Sequence, residues 1–182
     1  AEIAAGRCKK MVVVMPDARG EGAKNGGKNM GYFNVENWPY EDFFFQEFIP
    51  HIDATLKTLS DKENRAIAGL SMGGGHTATV SRDFPGTFDY VGVYSGAVGS
   101  IKDREGNLNQ DMVNKLKAQQ KAGYKLYWIA CGNTDFLFDT SNKLDAALTE
   151  IGFPHTYYVT EGGHTWANWR DYLNTLAPLL FK

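Results

Sequence analysis

The chain has 182 residues, a length that suits one domain with a substantial core. Its 19 Lys plus Arg against 21 Asp plus Glu leave a net charge of −2, with no basic footprint for nucleic acid or for an acidic membrane surface. No apolar stretch reaches membrane-spanning length, and histidines and carboxylates are too scattered for metal-ligand spacing, so neither a membrane, a metal nor another cofactor is expected.

Residues 2–9 read as a helix carrying Cys8, and Met11-Val12-Val13-Val14-Met15 as a continuous apolar run of the buried parallel-strand kind. Residues 16–40 hold Gly20, Gly22, Gly26, Gly27 and Gly31, end in Trp38-Pro39-Tyr40 and show no periodicity. So long a loop is functional or disordered. Leaving the carboxyl end of a parallel strand, it would emerge where such sheets bind ligands. Trp38 and Tyr40 are thus candidates to line a site, with packing of the loop itself an equal alternative.

Residues 41–59 predict an amphipathic helix with Phe45, Phe48, Ile49, Ile52 and Leu56 on one face, which Pro50 should kink or restart. Ala66-Ile67-Ala68 leads as a strand into Gly69-Leu70-Ser71-Met72-Gly73, and small residues follow. That pattern predicts strand, sharp turn and helix with Ser71 at the apex, where strained backbone demands small neighbours. The helix N-terminus beneath favours negative charge. Tyr90 to Tyr94 reads as a strand, 110–122 as a helix stopped by Gly123, Lys125 to Ala130 as a strand and 140–151 as a helix stopped by Gly152. Thr156 to Thr160 is the last strand. The final helix, from about Thr165, would turn Trp166, Trp169, Leu173, Leu176 and Leu180 inward. Five strands alternating with helices predict an α/β fold with a parallel sheet.

The chemistry follows from this order. A serine nucleophile on such a sheet needs an acid and then a histidine, each just past a strand. Cys131-Gly132-Asn133-Thr134-Asp135 ends one strand and Glu161-Gly162-Gly163-His164 ends the next. Ser71, Asp135 and His164 are therefore the candidate catalytic residues, with His164 as base and Asp135 fixing its tautomer. His51 and His155 read as structural, and His76 lies on the helix behind the serine. Asp139 suits a helix start, and Glu161 is too close to His164 in sequence to compete. Cys131 reads as a buried thiol, and nothing supports pairing it with Cys8.

The run Arg65-Ala66-Ile67-Ala68-Gly69-Leu70-Ser71-Met72-Gly73-Gly74-Gly75 resembles the nucleophile segment of the putative-esterase (esterase D-like) α/β-hydrolases. It is most similar to carbohydrate esterase family 1, the feruloyl and acetylxylan esterases. Val13-Val14-Met15-Pro16-Asp17, Ile129 to Asp135 and Gly162-Gly163-His164-Thr165-Trp166-Ala167-Asn168-Trp169 agree, so the resemblance spans nearly the whole chain. It implies an α/β-hydrolase-type, mostly parallel sheet flanked by helices, in a single domain over 1–182. It implies too a serine esterase acting through an acyl-enzyme on ferulate or acetate esters of plant cell-wall xylan, in a secreted or periplasmic setting. Trp166 joins Trp38 and Tyr40 as a candidate substrate-binding residue. Other acyl-group enzymes of the fold (formylglutathione hydrolases, siderophore esterases, mycolyl transferases) and a catalytically weak carbohydrate- or aromatic-binding protein are the alternatives.

One departure stands out. Family members begin with further strands, one ending in a His-Gly-type loop that supplies an oxyanion-hole N–H. Here the Met72 backbone N–H is a candidate donor and a second has no counterpart; a lost donor costs about 100- to 1,000-fold in turnover. Without those strands, the nucleophile strand and the 11–15 strand should each be left with an unpaired edge. The expectation is a carboxy-terminal portion of a longer catalytic domain, or a gap filled by a rearranged sheet, a strand swapped in a homodimer or an N-terminal fragment.

Overall fold

A computed structural model describes residues 3–16 and 45–182. Trp38, Tyr40 and nearly all of the glycine-rich loop lie outside the described residues. The chain divides into two compact units, Ala1–Lys9 with Asp61–Lys182, and Lys10–Ser60.

The larger unit is built on four parallel strands in the order β1 (Ala66–Leu70), β2 (Tyr90–Tyr94), β3 (Leu126–Gly132) and β4 (Thr156–Thr160). The connecting helices are α2 (Met72–Asp83), α3 (Gln110–Ala122) and α4 (Phe138–Glu150), and α5 (Trp166–Leu176) follows β4. The two faces of the sheet differ. On one, Val91, Val93, Tyr127 and Ile129 meet Ala78 of α2, Val113 and Leu116 of α3, and Leu144, Ala147 and Leu148 of α4. On the other, Tyr94, Trp128 and Tyr158 pack their rings on Tyr172 of α5. Gly92 lets that helix approach, because a Cβ there would lie 2.6 Å from Leu176 Cδ2.

Strands β2 and β4 and helix α3 match their sequence-based bounds, and β3 runs two residues further, through Gly132. Helix α3 starts where the Asn109 side chain accepts from Met112 N–H and stops at Gly123, whose φ of 78° suits glycine. Three expectations need correction. Residues 3–8 form turns and bends rather than a helix, with Gly6 at φ 72°; Cys8 is nonetheless buried, and both cysteines are free. In α5 the inward residues are Trp169, Tyr172 and Leu176, and Trp166 and Leu173 are exposed. Tyr172 takes the place expected of Leu173 because its hydroxyl reaches Thr160 Oγ1 at 2.9 Å, satisfying the polar end of a buried ring.

The third correction concerns the first strand. In the smaller unit residues 11–15 form no strand, and Val12, Val13, Val14 and Met15 are exposed. The sheet therefore has four strands among the described residues, not five, and β1 pairs only with β2. Residues 45–48 form a π-helical turn that runs directly into helix α1 (Ile49–Leu56), so Pro50 marks the change from π to α geometry early in α1 and the helix does not break there. Phe45, Phe48, Ile49 and Ile52 are half-buried, and Leu56 is exposed.

Candidate active site

Parallel strands place all their carboxyl ends on one edge, and the candidate residues lie there. Ser71 sits between β1 and α2 with φ 53° and ψ −118°, a conformation side-chain-bearing residues rarely adopt. Its N–H donates to Tyr94 O, and its C=O accepts from Gly75 and Ala97, so the turn is fixed through the backbone. The small residues around it have distinct duties. A Cβ on Gly69 would lie 2.2 Å from Gly73 O, one on Gly74 2.8 Å from Gly96 Cα, and one on Gly75 2.5 Å from Ala97 O. A Cβ on Gly73 would meet nothing within 4 Å; that residue matters as the surface Gly69 must clear.

Asp135 follows β3, and its side chain is fully buried. Leu137 N–H donates to Asp135 Oδ1 at 2.8 Å, and Asp135 N–H donates to Gly132 O at 3.1 Å. His164 follows β4 on a loop tied to its neighbour: Asn133 N–H donates to Thr160 O and Thr134 N–H to Gly162 O. Asn168 secures the same loop from α5, donating to Glu161 O at 2.7 Å while Thr165 caps the helix. Gly132 permits this crossing, since a Cβ there would come within 2.1 Å of Gly162 O.

These supports bring three side chains into one hydrogen-bonded chain. His164 Nδ1 lies 3.0 and 2.9 Å from the two Asp135 carboxylate oxygens, and Nε2 lies 2.9 Å from Ser71 Oγ. A carboxylate only accepts, so Nδ1 carries the proton and Nε2 of the neutral ring accepts from the Ser71 hydroxyl. The Met72 N–H opens α2 beside Ser71, among the amides of a first turn that have no intrahelical partner.

The rejected candidates occupy structural positions. His155 Nδ1–H donates to Phe153 O at 2.8 Å, and its Nε2 pairs with Asp145 at 2.9 Å. His76 is buried in α2, and burial lowers its pKa. Asp139 sits in the first turn of α4 and pairs with Lys143. Burial pushes the Cys131 thiol up, away from nucleophilic thiolate. Among the described residues no group of three or more His, Cys, Asp or Glu side chains could hold a metal ion. No helix among them is long and apolar enough to cross a membrane.

Two contributors escaped the sequence reading. Ser95 ends β2 at φ 44°, fully buried, and its Oγ accepts from Trp169 Nε1 at 3.2 Å. Trp169 in turn sets its ring edge against His164, centroids 4.8 Å apart. Phe136 covers the imidazole at 4.3 Å and is 74% exposed. A bulky apolar residue directly after a buried acid was the available signal for Phe136; nothing local signalled Ser95.

Comparisons with known proteins agree with this architecture. The sequence matches the Putative esterase family over residues 2–180, and the chain belongs to that family. The endo-1,4-beta-xylanase/feruloyl esterase of Xylanibacter ruminicola is 34% identical over 181 residues, 99% of this chain and 22% of that protein. The acetyl esterase of Caldicellulosiruptor saccharolyticus is 26% identical over 81% of this chain and 66% of its own length. The chain thus spans less than two thirds of either relative. A solved ferulic acid esterase, 28% identical, superposes with a TM-score of 0.75 over 98% of this chain and 73% of its own. The fold is that of the α/β-hydrolase esterases.

Proposed function

We propose that the chain is a serine carboxylic-ester hydrolase in which Ser71, His164 and Asp135 form the catalytic triad. The observation that carries this reading is the hydrogen-bonded chain from Ser71 Oγ through both His164 nitrogens to Asp135. His164 takes the Ser71 proton as Oγ attacks the ester carbonyl, and the carbonyl oxygen gains negative charge toward the Met72 N–H. His164 then gives that proton to the departing alcohol oxygen. Water, deprotonated by the same nitrogen, splits the acyl-enzyme and frees Ser71. Asp135 stabilises the imidazolium in both halves.

The acyl group we propose is ferulate or acetate and the alcohol a plant cell-wall polysaccharide, in a secreted or periplasmic setting. Support for the acyl groups comes from the feruloyl and acetyl esterases among the relatives. Trp166, with an exposed ring packed edge-on against Trp169, is the described candidate for binding substrate. The side of β1 away from β2 carries no strand among the described residues, and we propose that a second copy or an N-terminal fragment completes it.

Hydrolysis of methyl ferulate and an aryl acetate by this chain and by Ser71→Ala tests the reading. The variant is expected to lose about 10^4-fold or more of turnover. Asp135→Asn should lose about 10^4-fold in kcat with the fold intact, because the wrong imidazole tautomer is then favoured. Equal rates for Ser71→Ala and the parent would end the proposal.

A further inference from the structure

We propose that Ser95 is a positioning residue of the active site: through the Trp169 indole it holds the His164 imidazole in line with Ser71. The inference rests on the esterase reading and adds a second support for the base, independent of Asp135. Ser95 directly follows β2 and is fully buried at φ 44°, a left-handed backbone that glycine adopts freely and serine does not. A strained, buried, polar residue beside a reactive centre points to a task for its side chain. Its contacts show the task. Ser95 Oγ accepts from Trp169 Nε1 at 3.2 Å, and the same hydroxyl is a hydrogen-bond partner of the Cys131 thiol.

Trp169 is buried, so its indole N–H needs an acceptor inside the protein. Ser95 supplies that acceptor and thereby fixes how the ring is turned. The indole lies against His164 with centroids 4.8 Å apart and ring planes at 87°. Phe136, the other ring on the imidazole, is largely in water and has no polar atom to anchor it. The Trp169 ring is therefore the wall that is held, and Ser95 is what holds it.

The end of β2 thus reaches both partners of the proton transfer. Tyr94 O accepts from Ser71 N–H at 2.9 Å, and Ser95, the next residue, holds the ring against His164. Ser95 N–H donates to Ala130 O at 2.7 Å, so this pair of residues is itself fixed to β3. Asp135 grips the imidazole at Nδ1 alone, and a ring gripped at one corner can still rock. Rocking would swing Nε2 off Ser71 Oγ, which lies 2.9 Å away. A perpendicular wall resists that motion and keeps Nε2 aimed at the reacting oxygens in acylation and deacylation alike.

The test compares Ser95→Ala, which keeps the Cβ and the strain, with Ser95→Gly, which removes both along with the hydroxyl. Ser95→Gly is expected to unfold in urea at or above the Ser95→Ala midpoint. Both should nevertheless lower kcat on an aryl acetate about 10-fold, with KM held within about 2-fold because His164 serves both half-reactions. Trp169→Phe keeps a ring without the N–H and should lose at least as much. Adding Ser95→Gly to it should lower kcat less than about 2-fold further, since the serine acts through the indole. The NMR resonance of the His164 Nδ1–H, held by Asp135 in the parent, should broaden in Ser95→Gly as its exchange with water quickens. A kcat that follows the urea midpoint across these variants would overturn the proposal by making Ser95 a residue of the fold alone. Losses at Ser95 and Trp169 that multiply would overturn it by giving the hydroxyl a route to the site other than the indole. Absence of any Ser71-dependent turnover in the parent would defeat the esterase reading instead. The His164 resonance needs no substrate and would still decide: broadened in Ser95→Gly it supports the positioning role, and unchanged it overturns it.

Discussion

Two five-residue apolar runs in this chain have opposite fates. Tyr90-Val91-Gly92-Val93-Tyr94 becomes β2, hydrogen-bonded to β1 on one side and β3 on the other, with every residue buried. Met11-Val12-Val13-Val14-Met15 forms no strand, and its Val13 and Met15 are 71% and 88% exposed. The second run is the richer in β-branched residues, so propensity alone ranks them wrongly. A strand is a property of a pair: the ladder supplies the backbone partners, and facing helices supply the burial that rewards apolar side chains. β2 has both, and the catalytic edge is built on it, because Tyr94 O holds Ser71 and Ser95 holds Trp169.

The comparison can be strained hardest where the sheet meets the site. Gly132→Ala places a Cβ against the Gly162 carbonyl, a backbone group that cannot swing aside. The expected cost is about 3 kcal/mol or more in urea unfolding, with kcat falling because the Asp135 and His164 loops are forced apart. Retention of both stability and kcat would mean that the two loops are not in mutual register. A smaller effect separates the two runs themselves. Val93→Ala should cost about 2 kcal/mol, since two methyl groups leave a closed core. Val13→Ala should stay within about 0.5 kcal/mol. Similar losses at both positions would break the comparison and place the 11–15 run in a buried setting.

The same distinction explains what was legible in the sequence. Elements whose partners are also in the pattern were readable: β2 and β4 to the residue, α3 through its Gly123 stop, and the strand ends that carry Ser71, Asp135 and His164. The hydrogen-bonded chain among those three side chains was foreseeable because parallel strands deliver all such ends to one edge. The 11–15 run was misread because its apolar, β-branched pattern was weighed above the ladder partner it was already expected to lack on one edge. Tyr172 was overlooked in favour of Leu173 because its inward placement depends on the Thr160 hydroxyl, twelve residues away. Ser95 was invisible for a similar reason, its role arising only when α5 brings the Trp169 indole across the end of β2.

A small effect of opposite sign is expected at the end of the buried run. Tyr94 packs edge-on against Trp128 and Tyr172, ring centroids 5.6 and 5.9 Å apart, yet its hydroxyl is buried without a hydrogen-bond partner. Burial alone pushes the phenol pKa up, since the anion would be still worse placed there. A hydroxyl stripped of water and left unmatched contributes nothing to offset its desolvation. Tyr94→Phe keeps both ring contacts and deletes only that group, so stability should be unchanged or raised by up to about 1 kcal/mol. A loss of about 1 kcal/mol or more in urea unfolding would show that the hydroxyl has a partner, such as an ordered water on the aromatic face of the sheet. The run that satisfies its backbone so completely would then satisfy this side chain as well.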